Sequence, residues 1–361
     1  MATVRTKRAM RGATGNALSV RFGIPTMEDD CDWLDARDAI DGPRPTVRTS
    51  VQDVQSRTIL SYNESPDVSF DRSINPFIGC EHGCIYCFAR PTHAYHDLSP
   101  GLDFETKLFV KRDAAQILEG ELRRKGYDPK PIALGANTDP YQPIEREYRI
   151  TRSIIELLAK VDHPVTITTK SDRVVRDIDL LAPMAAKGLV AVAVSVTSLV
   201  PEIAMTIEPR APHPAKRLEA VRILVDAGIP TYVNIAPVIP AITDDEIEAI
   251  IARAAEAGAS NVSYIPVRLP LEVAPLFRAW LDTHFPDRAA KVMAIVQSLR
   301  GGRDNDPNFF SRMRGQGPWA ELLRTRFRIA KARHGFPSGR RVLALRCDLF
   351  RPPAGPQGEL F

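Results

Sequence analysis

Between residues 74 and 270 the chain alternates short β-branched runs with longer helical stretches, and this alternation limits the fold more than any other feature. Residues 131–134, 165–169, 189–196, 231–235 and 262–267 each have the length and composition of one buried strand. Residues 112–125, 146–161, 174–187, 215–227 and 243–257 carry helical spacing. In the second of these, Ile150, Ile154, Leu157, Leu158 and Val161 share a face. Gly126, Gly188, Gly228 and Gly258 fall just past the expected helix ends, where a left-handed closing residue belongs. Thr243, followed three residues later by Glu246, reads as a capping box. Units of about 30 residues, repeated about six times, are βαβ units. Parallel strands with right-handed crossovers build an open sheet or a barrel, with the site at the strands' carboxyl ends.

The cysteines point to that same end. Of five (Cys31, Cys80, Cys84, Cys87 and Cys347), three lie within eight residues, on the loop that leaves the first strand. An odd, low count argues against a secreted disulfide scaffold. Three thiolates spaced this closely converge on one metal centre, and an iron–sulfur cube held by three leaves one iron without a protein ligand. Structural zinc is the competing reading, with His82, His93 or His96 as fourth ligand; three unrelated buried thiols are the other alternative. Polar runs at residues 135–139, 170–171, 195–198 and 234–237 line up at the ends of the later strands.

Net charge is only +4, but residues 1–22 carry +5 and residues 299–346 carry +9. Basic ends on an otherwise acidic chain suit a polyanion such as nucleic acid, or equally solvated surfaces. Residues 271–284, 287–299 and 319–334 read as helices. In the last, Arg324, Arg328 and Lys331 share a face, with Leu322, Leu323, Phe327 and Ile329 as its apolar packing. Arg326, Arg333, Arg340 and Arg341 add charge. Trp319, Phe309 and Phe310 are expected in the core, with base stacking as the alternative. No run approaches a membrane span and no apolar leader is visible, so a cytoplasmic protein with no membrane partner is expected.

A Cys-x3-Cys-x2-Cys loop after the first strand, with Tyr86 before the last cysteine, resembles the radical S-adenosylmethionine (radical SAM) superfamily. The longer string from Asp71-Arg72-Ser73-Ile74-Asn75-Pro76 to Cys87-Phe88-Ala89-Arg90-Pro91-Thr92-His93 is similar to its PA0069/Rv2578c-type branch, related to spore photoproduct lyase. The resemblance implies an α/β fold, a partial (β/α)6 TIM-like barrel with a helical basic C-terminal extension. It divides the chain into an irregular basic segment (1–65), a core barrel (66–270), a helical basic region (271–350) and a flexible tail (351–361).

It further implies an enzyme in which Cys80, Cys84 and Cys87 hold a 4Fe-4S cluster and SAM is cleaved to a 5′-deoxyadenosyl radical. The electron would come from a reductant such as flavodoxin or ferredoxin. By the same resemblance Gly135, Asn137, Thr138 and Asp139 meet the SAM amino group. Lys170 and Arg210 are carboxylate partners, Ser195 and Thr197 meet the ribose or carboxylate, and Asn234 lies near adenine. The usual Gly-Gly-Glu wording of the amino-binding loop is absent.

The chain departs from the lyase where the radical is quenched. The lyase's donor cysteine aligns with Ala136, and one of its relay tyrosines with Phe88; Tyr86 matches the other. An alanine methyl is no thiol donor, so Tyr95, Tyr141 and Cys347 are the remaining candidates, the last more naturally a small buried apolar group. The final residues, Gln357, Leu360 and Phe361 after a Pro/Gly-rich stretch, resemble the peptide by which bacterial repair proteins bind the sliding clamp. Together these features suggest a radical SAM enzyme acting on nucleic acid, in DNA repair or damage processing. The alternatives are RNA or protein modification, or a non-catalytic iron–sulfur module.

Overall fold

The computed structural model describes residues 11–16, Ser19, Arg21, 48–338 and 344–354. Cys31, Arg340, Arg341, Gln357, Leu360 and Phe361 lie outside the described residues.

Ten strands occur among the described residues: β1 (Ser50–Asp53), β2 (Leu60–Tyr62), β3 (Arg72–Ile74), β4 (Phe77–Ile78), β5 (Lys107–Val110), β6 (Ile132–Leu134), β7 (Val165–Thr169), β8 (Val190–Ser195), β9 (Thr231–Val238) and β10 (Asn261–Pro266). Seven form one sheet in the order β10-β9-β8-β7-β6-β3-β2. Its six strands from β3 to β10 are parallel in sequence order, and β2 is an antiparallel edge. This is the (β/α)6 arrangement of a partial barrel. The strands are β-branched and buried on both faces in β8, as a sheet covered by helices requires. β1, β5 and β4 make a separate small sheet that the sequence pattern does not announce.

Helices Ala114–Leu122, Ile150–Lys160, Ile178–Ala186, Pro214–Asp226 and Ile247–Glu256 cover the large sheet. The four glycines expected at helix ends all have positive φ, between 73° and 82°. Two local expectations are corrected. Residues 146–161 are not one helix: Glu145–Tyr148 stops at Arg149, whose φ is 52°. The Glu145 carboxylate then accepts the amides of Thr151 (3.0 Å) and Arg152 (3.3 Å), capping a fresh helix. The capping box at Thr243 is also absent. Its hydroxyl accepts no amide of the helix and takes the Ile239 amide instead, while Glu246 is drawn 2.6 Å from both the Ser198 hydroxyl and the Leu199 amide.

Helices Val273–His284 and Pro286–Ser298 build a second apolar core with Trp280 and Phe277, and Ile85 of the cysteine loop belongs to it. The helix Gly317–Arg333 packs against the sheet's side through Leu323, Phe327 and Ala330. Its charge pattern differs from the expectation. Lys331 is buried, with its ammonium 6.0 Å from the Phe327 ring centroid, while Leu322 and Ile329 are exposed. Phe309 and Phe310 are exposed as well, rather than in the core. No helix among the described residues is long and apolar enough to cross a membrane.

Candidate active site

The cysteine loop stands at the carboxyl end of β3 and β6, and its backbone is fixed from below by one buried cation. The Arg90 side chain has no exposure. It donates to the carbonyls of Cys84 (2.9 Å), Gly83 (3.0 Å), Pro100 (3.0 Å) and Gly101 (2.9 Å), and meets Glu105 at 2.5 Å. Glu105 in turn accepts the amides of Gly12 (3.0 Å) and Ala13 (2.8 Å), seating residues 11–16 over the loop. A methyl group on Gly12 would fall 1.7 Å from the Gly83 carbonyl oxygen, so only glycine permits that approach. Burial, then the charges of Asp139 and its neighbouring thiols, push the Cys80 thiol well above its usual range. Burial pushes Cys84 up to about 12 against the pull of Lys170.

Three neighbouring thiols, of which Cys80 and Cys84 resist ionisation on their own, become stable thiolates beside positive charge, so the donor set fits a metal group. The histidines do not supply a fourth ligand. His82 turns its Nδ1 toward Asp139 (3.3 Å), His93 donates Nε2–H to the Lys107 carbonyl (2.9 Å), and His96 lies against the Phe109 ring. Among the described residues no three His, Cys, Asp or Glu side chains form a single-ion site. A cluster takes one thiolate per iron and spans more space than one ion, which favours it over zinc.

The loop after β6 binds the other strands to the cysteines. Gly135 has φ 85°, and a Cβ there would lie 2.0 Å from the Thr168 carbonyl oxygen. Asn75 Oδ1 accepts the amides of Asn137 (3.0 Å) and Thr138 (3.4 Å), while the Thr138 hydroxyl is spent on the Phe77 carbonyl (3.0 Å). Asp139 accepts the Thr169 hydroxyl (2.7 Å) and the amides of Lys170 (2.7 Å) and Tyr141 (2.9 Å). Burial opposes its charge, but His82 and Lys170 hold the carboxyl well below the usual range. Asp139 is therefore a junction of three loops.

On the β8 side a fully buried carboxylate, Glu208, collects the Tyr86 hydroxyl, the Thr197 hydroxyl (2.7 Å) and the Arg217 guanidinium (2.5 Å). Arg217 also donates to the Ser195 carbonyl (3.2 Å). The partly buried Lys170 lies 5.8 Å from the Tyr86 ring centroid; burial opposes its charge, but Cys84, Glu208 and Asp139 keep it firmly protonated. Arg210 pairs with Glu81 (3.1 Å), and Asn234 accepts the Ser263 hydroxyl (2.7 Å) on β10. A cavity of about 360 Å³ opens beside His82, lined by Ser171, Arg173, Arg210 and Lys216. A second, of about 440 Å³, lies between residues 63–71 and Lys130–Pro131 at the sheet's amino end, away from the cysteines.

Most of the expected residues thus sit on the loops around the cysteines; of the candidate donors, Tyr95 and Cys347 do not, and Tyr141 does, with its hydroxyl already engaged. Tyr95 is 68% exposed, with Arg21 at 5.8 Å from its ring centroid. Tyr141 is buried and its hydroxyl is held by Asp177 (3.0 Å). Cys347 belongs to the amino end of the sheet, where Arg346 bonds the Gly188 carbonyl just before β8; it is removed from the cysteine loop. Sequence reading missed Glu208, Arg217, Glu105 and Asn75 as site-building residues. Only Asn75-Pro76 and Arg90, both within the longer motif string, carried any signal.

Comparison with known proteins agrees with this geometry. The family model described as the radical SAM superfamily matches residues 74–254. The uncharacterized protein Rv2578c of Mycobacterium tuberculosis is 38% identical over 230 residues, 63% of this chain and 68% of the relative. The uncharacterized protein MJ0683 of Methanocaldococcus jannaschii is 28% identical over 59% of this chain and 76% of its own. In fold, spore photoproduct lyase complexed with dinucleoside spore photoproduct is similar at a TM-score of 0.53 and 16% identity, covering 79% of each chain. The three-cysteine loop at the carboxyl end of a six-stranded parallel sheet is thus a family feature: the chain belongs to the radical SAM superfamily, enzymes whose cofactors are a 4Fe-4S cluster and S-adenosylmethionine.

Proposed function

We propose that this enzyme acts on a nucleic acid, in DNA repair or damage processing related to, but distinct from, photoproduct lyase chemistry. The observation that carries the reading is charge. Arg303, Arg314, Arg324 and Arg328 are exposed with no acidic partner among the described residues, and Arg173 and Lys216 flank the cavity beside His82. A surface of this kind suits phosphates. The lyase of similar fold is complexed with a dinucleoside lesion, and a lesion of that class is the substrate assigned here.

The group held by Cys80, Cys84 and Cys87 supplies, when bound with SAM, a 5′-deoxyadenosyl radical for hydrogen abstraction. The chain's own residues do the positioning. Arg90 and Glu105 fix the loop, and Asp139 ties it to β7. Gly135, Asn137, Thr138 and Lys170 line the proposed SAM amino and carboxylate side with Arg210; Ser195, Thr197 and Asn234 lie toward ribose and adenine. Tyr86 keeps its proton because burial and the nearby negative charges oppose the phenolate, and its hydroxyl donates to Glu208.

The hydrogen return differs from the lyase's, since Ala136 and the exposed Phe88 carry neither thiol nor phenol. A flavodoxin- or ferredoxin-like reductant, a sliding clamp bound through Gln357, Leu360 and Phe361, and a cytoplasmic location complete the reading.

Anaerobic reconstitution followed by reduction with SAM, with and without ultraviolet-damaged DNA, tests it by formation of 5′-deoxyadenosine. Stimulation by damaged DNA is expected. Turnover indifferent to DNA would move the assignment to RNA or protein.

A further inference from the structure

The loop after Pro286–Ser298 turns two phenylalanines to solvent: Phe309 is 51% exposed and Phe310 64%. Exposure alone decides nothing, because single apolar residues are common on surfaces. The backbone is more telling. Phe310 has φ 65°, a left-handed conformation that a bulky residue avoids unless its surroundings impose it.

Those surroundings are polar and partly buried. Asp67 accepts the Phe310 amide (2.7 Å) on one oxygen and Arg312 Nε (2.5 Å) on the other. Arg312 also donates to the Ser65 hydroxyl (2.6 Å). Asp306 accepts the Asn308 amide (2.9 Å) and the Ser311 hydroxyl (2.5 Å). Arg300, almost fully buried, donates to the carbonyls of Arg312 (2.7 Å), Ser311 (3.3 Å) and Val267 (3.0 Å). The loop's shape is therefore enforced by hydrogen bonds to its backbone, and the rings are left outward.

Place and charge narrow the use. Val267 directly follows β10, so the loop meets the carboxyl end of that edge strand. Ser65 and Asp67 lie between β2 and β3, so the loop joins the sheet's two edges. The Arg312 guanidinium lies 4.6 Å from the Phe309 ring centroid, and Arg303 and Arg314 are exposed without acidic partners among the described residues. Rigid outward aromatics among unpaired cations are the means by which proteins stack bases and neutralise phosphates of single strands.

We propose that Phe309 and Phe310 form a stacking platform for an unpaired nucleobase, with Arg303 and Arg314 meeting the adjoining phosphates. The proposal rests on the nucleic-acid reading above and adds to it a strand state, unpaired or flipped out, and a place.

The test is anisotropy binding of a labelled single strand, the same strand with central abasic sites, and an acidic peptide of equal charge, to the full chain. Substitution F309A/F310A is expected to weaken the intact strand about tenfold or more while leaving the abasic strand and the salt dependence unchanged. F309W/F310W is expected to keep wild-type affinity, with indole fluorescence quenched by the intact strand only. Equal binding of the intact strand by wild type and F309A/F310A overturns the platform and leaves the nucleic-acid reading standing. Equal weakening of both strands also overturns it, in favour of a structural role. Peptide binding as tight as the strand's assigns the surface to a protein. Wild-type binding of neither strand at low salt overturns the nucleic-acid reading itself.

Discussion

The Glu208 carboxylate lies 2.5 Å from the Arg217 guanidinium, and neither side chain reaches solvent. Tyr86, on the cysteine loop, donates to the same carboxylate. Burial opposes the charge of both, yet Arg217 and Lys170 keep Glu208 below the usual carboxylate range. Glu208→Gln leaves Arg217 as a buried cation with its charge uncompensated and is expected to lower stability by about 3–5 kcal/mol. Tyr86→Phe removes one bond to a charged acceptor and should lower it by about 1.5–3 kcal/mol. Urea unfolding of both variants checks the order, and a Glu208→Gln effect smaller than that of Tyr86→Phe would contradict it.

Arg90 is expected to resist even conservative replacement. Its planar fork serves four carbonyls and Glu105 at once, which a single ammonium cannot reproduce. Arg90→Lys should therefore speed amide exchange in the cysteine loop and reduce the iron bound per chain. Wild-type exchange rates in that variant would remove Arg90 from its positioning role.

His163 gives a pH dependence distant from the cysteines. Buried, it accepts the Tyr127 hydroxyl at Nε2 (2.8 Å) and donates Nδ1–H to the Pro164 carbonyl (2.9 Å), which is the neutral tautomer. Burial takes its pKa down from 6.5 to about 4. The unfolded chain thus binds the proton first, so the stability is fully present above 6.5 and is lost as pH falls toward 4. Between pH 7.5 and 5 the wild type should lose about 2 kcal/mol more than His163→Gln, read from urea midpoints at each pH. Parallel curves for the two proteins would exclude the effect.

Much of this architecture is legible in the sequence because parallel strands buried on both faces must be runs of β-branched residues. β7 and β8 are found this way almost to the residue, as is the cysteine loop from its spacing. What the sequence hides is long-range recruitment. Glu246 has the spacing of a local cap but is taken by Ser198 and Leu199 across the fold. Glu208 sits in no periodic pattern, and its role appears only when Tyr86, 122 residues away, is brought to it. Phe309 and Phe310 look like core residues by hydrophobicity; Asp67 and Arg300 decide otherwise.

Gly135→Ala should be among the most disruptive small changes. The added methyl meets backbone, the Thr168 carbonyl oxygen at 2.0 Å, and the φ of 85° is unfavourable to it. A lowered melting temperature together with weakened SAM binding by calorimetry is expected. Unaltered SAM binding would separate this loop from the cofactor.

Removal of the last five residues is expected to abolish binding to immobilised sliding clamp in surface plasmon resonance, while 5′-deoxyadenosine formation is unchanged. Clamp binding that survives truncation would discard the tail as the docking peptide.

Residues 11–16 and the cysteine loop share Glu105 and touch at Gly12 and Gly83. Two segments so joined obey reciprocity: any free energy by which a filled loop tightens the N-terminal strap is the same free energy by which the seated strap tightens the loop on its contents. Residues 11–16, far from the cysteines in sequence, are by this linkage a determinant of how firmly they keep what they hold.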